Sequence, residues 1–386
     1  MTKSWESKLV AVSPKAPKGF RSLVAPVHRG STTLFESAAA VRDTWRHTDA
    51  AYTYGLYGTP TTLELAARIA ELEGGDHTFL VPGGQAALAL VNLAFARPGD
   101  HILIPDAIYG PHRQIGENLL RGFGIEVEFY DPLIGTGIAA LLRSNTRLIW
   151  CESPCSVTME VQDVPAIAQA AAGRGITIAI DNTYAAGVLF DAFAKGADVC
   201  VQALTKYIGG HSDLLMGSVT VKDAMRYERI GSVHQLLGMA VSPDDCSLAL
   251  RGLQTLAVRL ERLEKSCLEV ATWLATRPEI ATVLHPALPG SPGHEIWSRD
   301  FKGSASVFSV AFHERFSDED VFSFIDALQL FETGYSWGGT TSLAVPYLAL
   351  ARTAAQKKPK LVRLNVGLEA TQDLLADLEQ ALRSLA

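Results

Sequence analysis

Lys206 stands in the stretch VCVQALTKYIGGHSDLLMGSV (residues 199–219), after an apolar run and before a loop read to hold Gly209, Gly210 and Gly217. An ammonium is costly to take out of water unless its charge is shifted or paired, so a lysine at the end of a buried run invites a chemical reading. Asp181 ends a second apolar run, IAIDNTYAAG, 25 residues earlier, where a carboxylate needs a cationic or hydrogen-bonding partner. VPGGQAAL places Gly83 and Gly84 between an apolar run and a helix start, and free N–H groups at a helix N-terminus favour an anion such as phosphate. Tyr109, in DAIYGPH, follows another apolar run, HILIP. Each taken alone has an ordinary explanation: a tight turn, a helix cap or salt bridge, a lysine whose tip reaches solvent, a loop tyrosine.

Taken together they have one economical explanation. Pyridoxal phosphate needs an anion cup for its phosphate, a carboxylate that keeps its pyridine nitrogen protonated, and a lysine amine for its aldehyde. That amine must be desolvated and cation-biased, so that it is neutral and nucleophilic near pH 7. Lys206, Asp181 and the Gly83–Gly84 turn can supply these groups, and Tyr109 is placed to be a platform for the ring.

Residues so far apart in the chain meet only if the carboxyl ends of several strands share one edge of a sheet. From about residue 61 the pattern suits that arrangement. TLELAARIAELEG and QAALALVNLAFARPG read as helices, and HTFLV, HILIPD, EVEFYD, TRLIWCESP, ITIAIDN and DVCVQAL as short, doubly buried strands. The alternation predicts an α/β fold with a mostly parallel sheet covered by helices on both faces. Farther on, SLALRGLQTLAVRLERLEKSCLEVATWLAT (247–276) predicts one long amphipathic helix; ATVLHP, ASVFSVAF and KLVRLNVGL read as strands, DEDVFSFIDAL and TQDLLADLEQALRSL as helices. The expected organisation is an extended N-terminal arm (1–60), a large domain (61–244) and a smaller α/β C-terminal domain (245–386), with SPDD as their junction.

The composition narrows the classes. With 386 residues, 48% of them hydrophobic and 19% charged, the chain can bury a sizeable core. A net charge of −7 argues against a nucleic-acid surface. The apolar runs are too short for a membrane span, and the first residues lack the apolar core of a signal peptide, so a cytoplasmic protein is expected. Five cysteines, an odd number spaced unlike a zinc site, read as reduced thiols. No metal site is expected, because His112, His211 and Asp213 lack close ligand spacing.

YGLYGTPT (54–61), PGGQAAL (82–88), DAIYGP (106–111), ESPCSVTMEVQDV (152–164), DNTYAAGVLF (181–190), TKYIGGHSD (205–213), GYSWGG (334–339) and RLNVGLE (363–369) together resemble the Cys/Met-metabolism family of pyridoxal-phosphate enzymes, from about residue 30 to the end. The resemblance implies a fold type I, transferase-like architecture with a seven-stranded sheet in the large domain. ESPCSVTMEVQDV and GYSWGG favour the β-lyase branch, which implies a carbon–sulfur β-lyase acting on an amino-acid thioether, with L-cystathionine the expected substrate. By that similarity Lys206 bonds the cofactor aldehyde and moves protons, Asp181 faces the pyridinium nitrogen, and Tyr109 stacks on the ring or gives a proton to the leaving thiolate. Gly84, Gln85 and the Thr205 hydroxyl face the phosphate, as does Tyr54 of a neighbouring subunit in a homotetramer built as a dimer of dimers. Arg363 holds the substrate α-carboxylate, Ser336 helps hold Lys206, and Tyr335, Trp337 and Tyr57 lie at the substrate end; Asn365 and Glu369 read as structural.

The chain departs from the family pattern at three places. Leu56 stands where many members have a phosphate-binding arginine, which implies weaker cofactor retention or compensation by another cation. Tyr57 stands where some β-lyases have arginine, and Thr341 where members often have glutamate. Sibling reactions on the same scaffold (γ-elimination, cysteine desulfhydration, lysis of other cysteine conjugates) and a cofactor-retaining regulatory protein are the alternatives left open.

Overall fold

The computed structural model describes residues 4–10, 23–41, 52–350, 352 and 360–385, and its first layer is a seven-stranded sheet. The strands are β1 (His77–Val81), β2 (His101–Pro105), β3 (Glu126–Tyr130), β4 (Thr146–Glu152), β5 (Thr177–Asp181), β6 (Val199–Ala203) and β7 (Gly217–Val221), in the order β1-β7-β6-β5-β4-β2-β3. Only the pairings of β7, with β1 and with β6, are antiparallel. Two reversals cancel, so β1 ends at the same edge as β2, β4, β5 and β6. That edge therefore gathers Pro82–Gly84, Tyr109, Glu152, Asp181 and Lys206. The strands are short and buried almost throughout, as expected where helices cover both faces.

The helices are α1 (Trp5–Leu9), α2 (Pro60–Glu73), α3 (Gly84–Phe95), α4 (Gly110–Gln114), α5 (Val164–Ala171), α6 (Ala224–Leu237), α7 (Pro243–Leu253), α8 (Leu256–Leu274), α9 (His294–Asp300), α10 (Asp318–Asp326) and α11 (Thr371–Leu382). Local chemistry sets their ends. Thr59 and Thr62 form a capping box at the start of α2, and Gly74 closes it in the left-handed region at φ 73°. A second sheet of β8 (Ile280–Leu284), β9 (Val307–Phe312), β10 (Glu332–Thr333), β11 (Leu343–Tyr347) and β12 (Leu361–Asn365) runs in the order β10-β11-β12-β9-β8. Its core contains Phe308, Val310, Phe324, Leu364 and Leu378, from β9, α10, β12 and α11.

The fold class is the α/β arrangement expected, with three local differences. Gly217 opens β7 instead of lying in a loop, and its backbone runs so close to Gly83 that a Cβ there would sit 2.4 Å from the Gly83 carbonyl oxygen. β11 contains Pro346, which lies beyond the two residues paired with β10 and so needs no ladder bond on that side. The single long helix expected over 247–276 is broken at Gln254–Thr255, where Thr255 leaves the helical region at φ −110°, ψ 5°. In addition, Ser242 caps α7, so SPDD is the first turn of a helix. The described part of the arm packs on its own chain: Leu9 joins the core beside Leu65, the His28 amide donates to Thr61 Oγ1, and Arg29 pairs with Asp244. Residues 1–3, 11–22 and 42–51 of the expected arm lie outside the described residues.

Candidate active site

A cavity of about 290 Å³ opens at the carboxyl edge of the large sheet, lined by Gly84, Gln85, Tyr109, Glu152, Asp181, Thr205, Lys206, Trp337 and Arg363 among others. Lys206 follows β6, and its Nζ donates to Ser336 Oγ at 2.7 Å and lies 5.4 Å from the centre of the Trp337 ring. Burial first, and then the neighbouring Arg363 charge, push its pKa down to about 8 against the opposing pull of Asp181. Arg363 comes from β12 of the second sheet, is 5% exposed, and donates to the Ser336 carbonyl at 3.2 Å. Ser336 thus bridges two cations, and it does so at φ 82°, a conformation rare for a residue with a Cβ.

Asp181 closes β5. Its Oδ1 accepts from the Thr183 amide at 3.0 Å and the Thr183 hydroxyl at 2.5 Å. Oδ2 has no hydrogen-bond partner among the described residues. Burial raises the Asp181 pKa, and the Thr183 bonds and Lys206 oppose that rise. Thr183 Oγ1 also accepts from the Ala203 amide at 2.8 Å, which ties the end of β5 to the strand carrying Lys206.

Glu152 was not singled out from the sequence, although it ends β4 as Asp181 ends β5 and pairs with it in register. Its Oε2 accepts the Tyr109 amide at 2.9 Å and its Oε1 the Ser156 amide at 2.6 Å. It therefore sets the Tyr109 backbone and the start of the loop that carries Val157 and Met159. Both of those residues line the cavity with positive φ, 71° and 58°, and β-branched Val157 is the stronger departure. Burial, then Asp181, raises the Glu152 carboxyl well above the usual carboxylate range. Burial, then Asp181 and Glu152, also raises the Tyr109 phenol.

At the other end of the cavity, α3 begins at Gly84 with no side chain capping its N-terminus, so the Gly84 and Gln85 amides are available to an anion. A Cβ on Gly84 would lie 2.6 Å from the Ala203 Cβ, so only glycine allows this approach of α3 to β6. Thr205 lines the cavity, but its hydroxyl donates to the Met216 carbonyl at 3.2 Å and accepts from the Met216 amide at 3.0 Å. Within one chain the hydroxyl therefore meets Met216, the residue before β7, at the cavity wall.

The remaining expected residues divide. Trp337 lines the cavity and packs on Tyr207, ring centres 5.3 Å apart. Tyr335, expected at the substrate end, is 81% exposed and does not line the cavity within one chain, although its phenol lies close enough to act on the Arg363 charge. Tyr57, with Leu56, lines a separate cleft with Phe79 and Tyr227. Tyr54 is 45% exposed and bridges to Thr32. Within one chain Tyr54 and Tyr57 do not line the Lys206 cavity. Asn365 accepts the Gly338 amide at 3.0 Å and Ser306 Oγ at 2.8 Å, and Glu369 holds Ser342, both in structural roles.

The donor set fits pyridoxal phosphate: uncapped amides against a glycine-only approach for the phosphate, a buried carboxylate with an open oxygen for the ring nitrogen, and an amine of depressed pKa for the aldehyde.

Comparison with known proteins gives the same direction. The profile of the family described as "Cys/Met metabolism PLP-dependent enzyme" matches residues 6–383. The chain is 42% identical over 364 residues to cystathionine β-lyase MetC of Escherichia coli, covering 92% of this chain and 91% of that protein. It is 39% identical over 373 residues to cystathionine β-lyase of Haemophilus influenzae, covering 94% of each. The crystal structure of metB from Corynebacterium glutamicum superposes with a TM-score of 0.92 at 30% identity, covering 100% of this chain and 99% of that one.

Proposed function

The chain belongs to the Cys/Met metabolism family of PLP-dependent enzymes, and on that premise we propose that it cleaves L-cystathionine by β-elimination, yielding homocysteine, pyruvate and ammonia. Relatives named cystathionine β-lyase at 42% and 39% identity support this reading. When bound, the cofactor supplies an aldehyde for amino groups and a sink for the electrons left at Cα. The rest is the work of side chains. The Arg363 guanidinium takes the substrate α-carboxylate as a two-pronged fork. Lys206 Nζ, neutral above its pKa of about 8 and held by Ser336, removes the Cα proton. The Cβ–S bond then breaks with its electron pair on sulfur. Either Lys206, now protonated, or the Tyr109 phenol, whose raised pKa keeps its proton in place, protonates the thiolate. Water completes the release of pyruvate and ammonia from the three-carbon fragment.

Residues 61–244 are read as the cofactor-holding unit and 245–386 as the unit that brings Arg363 and Ser336. Tyr54 and Tyr57 are assigned to the cavity of a second copy in a homotetramer of paired subunits, with Tyr54 at the phosphate. The five buried, unbridged cysteines suit a reducing cytoplasm.

The single observation that carries the reading is the half-buried Lys206 amine, in one cavity with Asp181 and Arg363. Incubation with L-cystathionine tests it. Pyruvate and homocysteine in equal amounts are expected, whereas 2-oxobutyrate and cysteine would assign the protein to γ-elimination.

A further inference from the structure

The break between α7 and α8 seats an arginine directly behind Lys206. Arg259, in the first turn of α8, is 5% exposed and makes no ion pair among the described residues. Its guanidinium is held by neutral acceptors alone: Nη1 donates to the Tyr207 carbonyl at 2.7 Å, Nη2 to the Gly252 carbonyl at 2.7 Å and Nε to Thr255 Oγ1 at 3.0 Å. A buried cation without a counter-charge is costly, and burial pushes its pKa down to about 10.

Two glycines make the space. A Cβ on Gly210, at φ 73°, would lie 2.2 Å from Arg259 Nη1, and one on Gly252 would lie 2.1 Å from the Ile208 carbonyl oxygen. The turn that Arg259 grips is the one that launches Lys206, since the Gly210 amide donates to the Lys206 carbonyl at 2.7 Å. From the far side, the Tyr207 hydroxyl meets Ser306 Oγ at 2.9 Å, Ser306 donates to Asn365, and Asn365 holds Gly338, two residues past Ser336. Arg259 and this chain of bonds therefore fix the two ends between which Lys206 Nζ reaches Ser336 Oγ.

We propose that Arg259 is a positioning residue for the reaction: its fork on Tyr207, Gly252 and Thr255 holds the main chain that aims Lys206 Nζ at the substrate Cα proton. The inference rests on Lys206 having the role proposed above. Lysine at this position keeps the charge but reaches one acceptor instead of three, and methionine keeps only bulk.

The test uses the cofactor-loaded enzyme and its Arg259→Lys, Arg259→Met and Thr255→Val variants. It reads kcat and KM for L-cystathionine, the pH titration of the cofactor's visible absorbance, and Tm. A misaimed amine lowers kcat by about 10–100-fold in Arg259→Met, and less in Arg259→Lys. KM stays within roughly twofold, as for an interaction felt mainly in the transition state. The titration midpoint shifts in both variants, because it reports the surroundings of the Lys206–cofactor bond. Thr255→Val, which removes one acceptor, gives a smaller change of the same kind and serves if the Arg259 variants do not fold. A lowered Tm with unchanged kcat and titration, or an unaltered Thr255→Val enzyme where it alone folds, would overturn the proposal while leaving the proposed function intact. A wild-type enzyme without visible absorbance or pyruvate release would overturn both.

Discussion

At the scale of single residues, the protonation of Lys206 is decided by what surrounds it. Its folded pKa of about 8 lies below the ordinary 10.5, so the protonated amine disfavours the folded, cofactor-free chain. Stability of that apoprotein therefore rises as pH climbs from about 8 to 10.5 and gains nothing further from this group above that range. Lys206→Met should flatten that rise, which urea unfolding of both proteins across the window would read; parallel curves would contradict the shift. Arg363 offers a second prediction at this scale. Arg363→Lys keeps the charge but not the fork, and loss of one bond to a charged group costs about 1.5–3 kcal/mol. The expected result is a rise in KM for L-cystathionine of roughly 10–100-fold, measured by steady-state pyruvate release.

At the scale of elements, the site depends on how closely α3 can approach β6. Gly84→Ala would force its Cβ against the Ala203 Cβ at 2.6 Å, moving the uncapped helix N-terminus off the sheet edge. Overpacking of this kind costs about 1–3 kcal/mol, and the expected readout is faster loss of cofactor on dialysis with a fold unchanged by circular dichroism. Retention equal to wild type would show that the phosphate is held elsewhere. The strands before Asp181 and Lys206 were legible because each is a mostly apolar run, broken only by Gln202 in β6, with one charged group at or just past its end. Glu152 carries the same signal at the end of β4, next to the SPC turn that follows it. The helix break at Thr255 was not legible, since its cause is tertiary: Arg259 and Gly252 serve the Lys206 turn, and local apolar spacing continues through the break. Which of Tyr335 and Trp337 lines the cavity within one chain was not legible, because motif position gives the order of the backbone and not the direction of a side chain. The bonds between the Thr205 hydroxyl and Met216 were not legible either, because they join two segments 11 residues apart across a turn.

At the scale of the whole molecule, Tyr54, Leu56 and Tyr57 lie away from the cavity of their own chain, and the proposal gives them to a second copy. Mixing separates that from a local role. A Lys206→Ala subunit retains Tyr54, and a Tyr54→Ala subunit retains Lys206, so a mixed pair contains one complete site. Co-refolded mixtures should exceed the average activity of the two parents, and an activity equal to that average would confine Tyr54 to its own chain. In that proposal Leu56 brings no cation to the phosphate end. Leu56→Arg should accordingly slow cofactor dissociation, as followed by the decay of visible absorbance on dilution.

The central claim is that the Lys206 amine bonds the cofactor aldehyde, in a cavity where Asp181 meets the ring nitrogen. Borohydride reduction of the loaded enzyme, followed by digestion and mass spectrometry, tests this bond directly. A pyridoxyl phosphate mass on the peptide containing Lys206 is the predicted result. The same mass on a different lysine, or on no peptide at all, would contradict it.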